Sequence, residues 1–209
     1  DKNNVLMADD VDMKMYDDLD KMTLIEADKA YFKIGFRELD LSGHLKITFP
    51  DNFRLKTERA HYSASDQTFS GRDPFYGESS AKTDSADEVK VWGVGFLGSR
   101  VTPDLHVLNS VKVQTTKSGS KETSDVYSDY AKIDRVAKTG DFSMKADDRS
   151  VETIQGTLNV RSKKQRVVYN ADKRNLKTLV AEEDVIIREV DEKKSTEGLK
   201  YATAGVKVI

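Results

Sequence analysis

Apolar and polar residues alternate with a period of two along most of this chain. From Leu39 to Phe49 every odd position except Gly43 is apolar and the even positions are polar. The alternation resumes at Phe53 and Leu55 after Pro50-Asp51-Asn52, a turn signature. It recurs at Leu105, Val107, Val111 and Val113, where His106, Asn109 and Lys112 are among the polar positions. It returns at Leu158 and Val160, and again in Val206-Lys207-Val208-Ile209. Side chains on a strand point alternately to opposite faces, so this pattern predicts half-buried β-strands. Helical spacing is rare. Met22 to Phe32 would also place Leu24, Ala27, Ala30 and Tyr31 on one helical face, but we read it as a strand. Pro50, Pro74 and Pro103 fall between the periodic segments, where a β protein tolerates proline.

A degenerate repeat accompanies the alternation: Ala-x-Tyr or a relative, a polar turn, then a strand. Ala60-His61-Tyr62 leads to Thr68-Phe69-Ser70-Gly71 and Ala131-Lys132-Ile133 to Asp141-Phe142-Ser143. Val168-Tyr169-Asn170 leads to Leu176 and then Val185-Ile186-Ile187. Recurrence of this kind predicts stacked antiparallel hairpins. Thr115 to Asp125 is polar, low in complexity and free of large apolar residues, which suits a module boundary. The expected organisation is a β module over residues 1–114, a polar linker over 115–127 and a second β module over 128–209.

Composition narrows the function classes. The 209 residues suffice for one large or two small domains. Lys plus Arg number 34 against 36 Asp plus Glu, a balance that argues against a nucleic-acid binder. Without cysteine there is no disulfide scaffold, thiolate zinc site or thiol nucleophile. No run approaches the roughly 20 apolar residues that span a bilayer as a helix. The chain opens at Asp1, which we read as a processed or trimmed start. Gly93-Val94-Gly95-Phe96-Leu97-Gly98 matches GxGxxG, but Pro103 follows and no helical pattern does, so no dinucleotide site is expected. His44, His61 and His106 are far apart, and His44 and His106 fall on the polar phase of their strands. Asp9-Asp10-Val11-Asp12 with Asp17-Asp18-Leu19-Asp20 lacks the glycine and glutamate of an EF-hand loop and reads as a frayed, charged terminus. No catalytic residue, metal site or cofactor is expected, and the chain is read as a non-enzyme.

Several stretches together resemble the LptC and LptA (OstA-like) family of lipopolysaccharide-transport proteins. In the first module these are Ile25-Glu26-Ala27-Asp28-Lys29-Ala30-Tyr31, Leu39 to Ile47, Leu55 to Tyr62 and Val89 to Phe96, which are LptC-like. In the second they are Ser128-Asp129-Tyr130-Ala131, Thr157-Leu158-Asn159-Val160 and Val180 to Ile187, which are LptA-like. The resemblance implies an all-β fold: a folded-over antiparallel sheet, or slotted β-jellyroll, whose two modules share one groove. It implies a periplasmic location, with inner-membrane anchoring through an N-terminal segment outside this chain. It implies lipopolysaccharide as ligand, held by its lipid A acyl chains. Its partners would be other Lpt proteins joined by edge-strand pairing, namely the inner-membrane ABC transporter complex and an LptA-like bridge, in outer-membrane biogenesis.

Such a sheet has a continuously apolar inner face. Leu41, Leu45, Ile47, Phe49, Phe53, Leu55, Val91, Phe96, Val107 and Val111 are the candidate groove residues; the plain alternative is that they form a closed core. Arg54, Lys56 and Arg59 are candidates for lipid A phosphates, the alternative being a solvated charged face. Gly43, Gly71 and Gly93 are candidate bend or bulge positions, and Ala204 to Ile209 a candidate edge strand. A structural or adhesive β-repeat protein with a closed core is the competing function, and a polysaccharide-active β-solenoid enzyme a third.

Overall fold

The structure, a computed structural model, describes residues 5–17, 19–79, 88–116, 123–169, 176–189 and 207–208. Among these residues the fold is all β. Seven long strands come first: β1 (Val5–Tyr16), β2 (Met22–Lys33), β3 (Glu38–Thr48), β4 (Phe53–Ser63), β5 (Thr68–Ser79), β6 (Glu88–Ser99) and β7 (Asp104–Thr116). Each pairs antiparallel with the next. The strands that follow are shorter: β8 (Thr123–Ser128), β9 (Tyr130–Asp134), β10 (Thr139–Ser143), β11 (Val151–Gln155) and β12 (Leu158–Ser162). The last are β13 (Lys164–Tyr169), β14 (Leu176–Glu182), β15 (Ile186–Glu189) and β16 (Lys207–Val208).

All sixteen belong to one sheet, and β7 reveals how it folds over. The first half of β7 pairs with β9 and the second half with β8. From there two ladders run apart. One is β8-β11-β12-β15 and the other β9-β10-β13-β14-β16. The short strands are therefore halves of long ones, broken where the sheet bends: β8 and β9 at Asp129, β12 and β13 at Lys163, β14 and β15 at residues 183–185. The long strands cross the same line unbroken and so serve both layers. We call these layers the two arms. The ladders join strands on both sides of residues 115–127, with β7 ending at Thr116 and β8 starting at Thr123; residues 117–122 lie outside the described set.

Along the bend the ladder slips. Two residues of one strand oppose one of its neighbour at Gly43-His44 on β3, at Arg72-Asp73 on β5 and at Ser110-Val111 on β7. These β-bulges sharpen the local twist and turn the strand. Gly43 has φ +77, and a Cβ there would come within 2.3 Å of Asp28 Oδ2, so only glycine fits. At the candidate position Gly93 the extra residue lies on the neighbouring β7, and a Cβ on Gly93 would collide with Val107 Cγ1. Pro74 does not lie between periodic segments as expected: it sits inside β5, at the slip after Gly71, where no ladder hydrogen bond is asked of its nitrogen. The acidic N-terminus is likewise no frayed end. Val5 to Tyr16 pairs residue for residue with β2, and Asp17 closes the turn by accepting from the Leu19 and Lys21 amides.

Outer side chains tie the bend with charge. His44 Nδ1 lies 2.9 Å from Asp28 Oδ2, Arg59 holds Asp73 through two bonds of 2.8 and 2.9 Å, and Arg149 reaches Asp129 at 2.7 Å. Asp28 raises the His44 pKa above that of a free histidine. The His44–Asp28 attraction is therefore fully present at acid pH and fades as pH rises through the raised value. Asp28→Asn should return the His44 titration, followed by NMR, toward the ordinary histidine range; an unmoved titration would show that the pair does not form in solution.

The inner faces of both arms meet in one apolar core. Ile25, Ile47, Leu55, Phe69, Val91, Phe96, Leu105 and Val107 are fully buried there. Truncation of such a side chain loses transfer energy and leaves a cavity. Leu55→Ala should lower unfolding stability by about 2–5 kcal/mol in denaturant melts, whereas the outward, 40% exposed Leu97→Ala should cost well under about 1 kcal/mol.

Candidate functional site

The space between the arms is filled in the middle and open at one end. All ten candidate groove residues point inward as the alternation requires. They are also buried: Leu41, Leu45, Ile47, Phe49, Phe53, Leu55, Val91, Phe96, Val107 and Val111 are each no more than 4% exposed. They pack on one another and on their neighbours. The Phe49 ring meets Phe69 edge-on with centroids 6.1 Å apart, and Phe75 meets Phe96 at 5.4 Å.

The opening lies at the β1 end. There the arms leave a cleft of about 550 Å³, within the roughly 300–1,000 Å³ common for small-molecule sites. Leu6 and Ala8 line it from one half of β1, and Val11, Met13 and Met15 from the other. Ala30, Phe32, Leu39, Tyr62 and Ala64 complete the walls, and Arg37 stands as the one charged side chain among them. Leu6 is 60% exposed, far from the burial its hydrophobicity favours. The edge of β1 away from β2 has no partner strand among the described residues. The sequence reading missed these residues. Val11, Met13 and Met15 do alternate, but Asp9 and Asp10 before them and Asp12 and Lys14 between them make the segment read as charged.

Two arginines bolt the arms together. Arg100, after β6, donates to the Tyr16 carbonyl at 2.8 Å and to Gln67 Oε1 at 2.9 Å. Arg135, in the turn after β9, is more deeply set, its side chain only 3% exposed. Its guanidinium carbon lies 4.0 Å above the centre of the Phe49 ring. Its Nε stands 3.0 Å from Asp51 Oδ2 and donates to the Pro103 carbonyl, while Nη2 donates to the Ser99 and Thr102 carbonyls. Burial pushes the Arg135 pKa down, and the carboxylates of Asp51, Asp104 and Asp134 oppose that push. At the far end Gln165 plays a similar part without charge. It donates from β13 to the Val151 and Val160 carbonyls of the other arm and accepts from Thr153.

The three phosphate candidates lie on the outer face. Arg54 and Lys56 approach Glu78 at 3.4 and 4.0 Å, and Arg59 is held by Asp73. Each is engaged by a carboxylate, away from the apolar cleft. A larger cleft of about 980 Å³ follows the bend; Tyr31, Asp40, His61, Arg59 and Asp73 are among its walls, with His61 on Asp40 at 2.7 Å. The histidines remain separate: His44 pairs with Asp28, His61 with Asp40, and His106 with the Tyr130 hydroxyl. Among the described residues no three His, Asp or Glu side chains gather as metal ligands, and no helix is long and apolar enough to cross a membrane. Lys207-Val208 of the candidate C-terminal edge pairs with β14; residues 204–206 and 209 lie outside the described set.

No protein-family model and no curated protein matches this chain.

Arg135 and Asp51 form a compensated, desolvated pair. Removing one partner strands the other, whereas removing both relieves the penalty. Arg135→Met alone should therefore destabilise the protein by about 3–5 kcal/mol, and Arg135→Met with Asp51→Asn by clearly less, in a double-mutant cycle of thermal or denaturant melts. Additive losses would mean that the pair is not coupled.

Proposed function

We propose that this chain is a lipopolysaccharide-transport module of the LptC/LptA kind, a periplasmic non-enzyme that shelters an acyl chain between its arms. The cleft at the β1 end carries the reading. Its walls are almost wholly apolar, and it opens to solvent through Leu6 and Phe32. An acyl chain laid there gains roughly 0.8 kcal/mol for each methylene taken from water. A cleft open on one side also allows release, which a transfer protein needs and a sealed cavity does not provide. The folded-over sheet is the architecture that the sequence resemblance implies, and the unpaired edge of β1 suits strand addition by a neighbouring protein in the transport bridge. Energy would come from a partner ATPase at the inner membrane.

One observation favours the competing reading. The ten central side chains are sealed against one another, as in a structural β-repeat protein with a closed core. The two readings differ over the β1 end. A photo-crosslinking amino acid at Met13, which lines the cleft, should capture lipopolysaccharide from Gram-negative cells. The same residue placed at the outward, exposed Ile154 should not. Equal capture at both positions, or none at Met13 in a folded protein, would leave the closed-core reading standing.

A further inference from the structure

We propose that the cleft along the bend, on the outer face of the sheet, binds an uncharged saccharide chain. The proposal does not rest on the transport reading, whose cleft lies between the arms at β1. The outer cleft, of about 980 Å³, is the larger of the two. A row of directly opposed residues crosses it: Tyr31 on β2, Asp40 on β3, His61 on β4, Ser70 on β5 and Leu97 on β6. Each is the register partner of the next, so all five side chains stand on one face. Four strand spacings of roughly 4.8 Å make the row about 19 Å long, which suits an extended chain of rings better than a single small ion.

Three observations define the ligand. The first is a set of polar groups left unspent. Among the described residues the hydroxyls of Tyr31, Ser42 and Ser70, all in the cleft, enter no hydrogen bond. His61 is engaged only through Nδ1, to Asp40 at 2.7 Å, which leaves Nε2 for a ligand. Elsewhere the outer face spends its polar groups on one another, as in Lys46–Glu26 at 2.6 Å, Lys112–Asp125 at 3.3 Å and Arg161–Glu152 at 2.7 Å. Hydroxyl, imidazole and carboxylate groups side by side both donate and accept, as the successive hydroxyls of a sugar do. The second observation is charge. Asp40 and Asp73 on the walls offset Arg59 and Arg72, so a phosphate or carboxylate would face as many anions as cations. Arg59 is moreover held by both oxygens of Asp73, at 2.8 and 2.9 Å. The third is apolar surface in small pieces. The Tyr31 ring, Leu97 and Leu108 offer contacts to the C–H faces of sugar rings. A hydrocarbon chain in the same place would strip water from the unspent groups without replacing their hydrogen bonds.

The test uses the full chain, isotope-labelled for NMR, and neutral oligosaccharides long enough to span the row: glucose, mannose and N-acetylglucosamine oligomers. A sulfated glucose oligomer is the charged control, and an octyl glycoside of the tightest binder is the lipid-linked one. At least one neutral oligomer should shift the amide signals of Asp40, His61 and Ser70 and leave that of Met13 in place. Ser42→Ala with Ser70→Ala should weaken its binding at least about ten-fold, with melting curves confirming the fold. Lys112→Gln, on the outer face but not in the cleft, should leave the affinity unchanged. The sulfated oligomer should bind more weakly, and the octyl glycoside no more tightly than the free sugar. No shift with any neutral oligomer would overturn the proposal and leave the transport reading intact. So would shifts confined to the β1 cleft, undiminished binding by the double variant, binding of the sulfated oligomer at least as tight, or affinity that follows the octyl tail.

Discussion

A strand that passes from one layer of a folded sheet to the other must change direction without turning its apolar side chains to water. With a side-chain period of two, a one-residue slip exchanges inner and outer faces over the rest of the strand. Here the bend is absorbed by bulges on β3, β5 and β7, every second strand, so that each bulged strand is flanked by neighbours that yield one residue fewer. On β3 the inward series Leu39, Leu41 continues as Leu45, Ile47 across Gly43-His44. On β4 the inward Phe53, Leu55, Thr57 resumes at Ala60 and Tyr62, one step out of phase. Both solutions keep the apolar faces together, and the glycine at Gly43 is what lets the first of them occur in so little space.

This explains which parts of the fold were legible in the residues. Strand alternation and the inward set of ten were visible because the period of two survives on each arm. The bulge at Gly43 and the slip opposite Gly93 were visible because the period stumbles there. The continuation of the sheet beyond β7 was harder to see. Its strands are halves, broken at Asp129, Lys163 and residues 183–185, so each half is too short to show a long alternation. The polar stretch from Thr115 to Asp125 reads as a linker between modules because composition does not record strand pairing. Only the register of β7 with both β8 and β9 shows that the sheet runs on across it.

The candidate site was legible to a lesser degree, for a related reason. Alternation tells which side of a strand faces inward, but not how far apart two inward faces stand. Val107 on β7 and Met13 on β1 obey the same pattern; the first is sealed and the second borders an open cleft. What separates them is the number of neighbours. Val107 has strands on both sides and an opposite arm in contact, whereas β1 is the last strand of its sheet and carries only β2. The slot thus opens where the sheet ends at β1, a property of topology that no single segment encodes.

Arg135 sits where the two arms meet, over the Phe49 ring and beside Asp51. The arms of a folded sheet tend to close on their apolar faces, and a closed core binds nothing. A guanidinium set between them resists full closure, since it needs acceptors that hydrocarbon lacks. Carbonyls of the turn near Pro103 and the Asp51 carboxylate supply most of them and leave Nη1 unmet. Gln165, whose amide meets the Val151 and Val160 carbonyls and the Thr153 hydroxyl, ties its end of the sandwich across the arms without charge. The two residues thus hold the arms together by different means, one charged and partly unmet, the other neutral and paired.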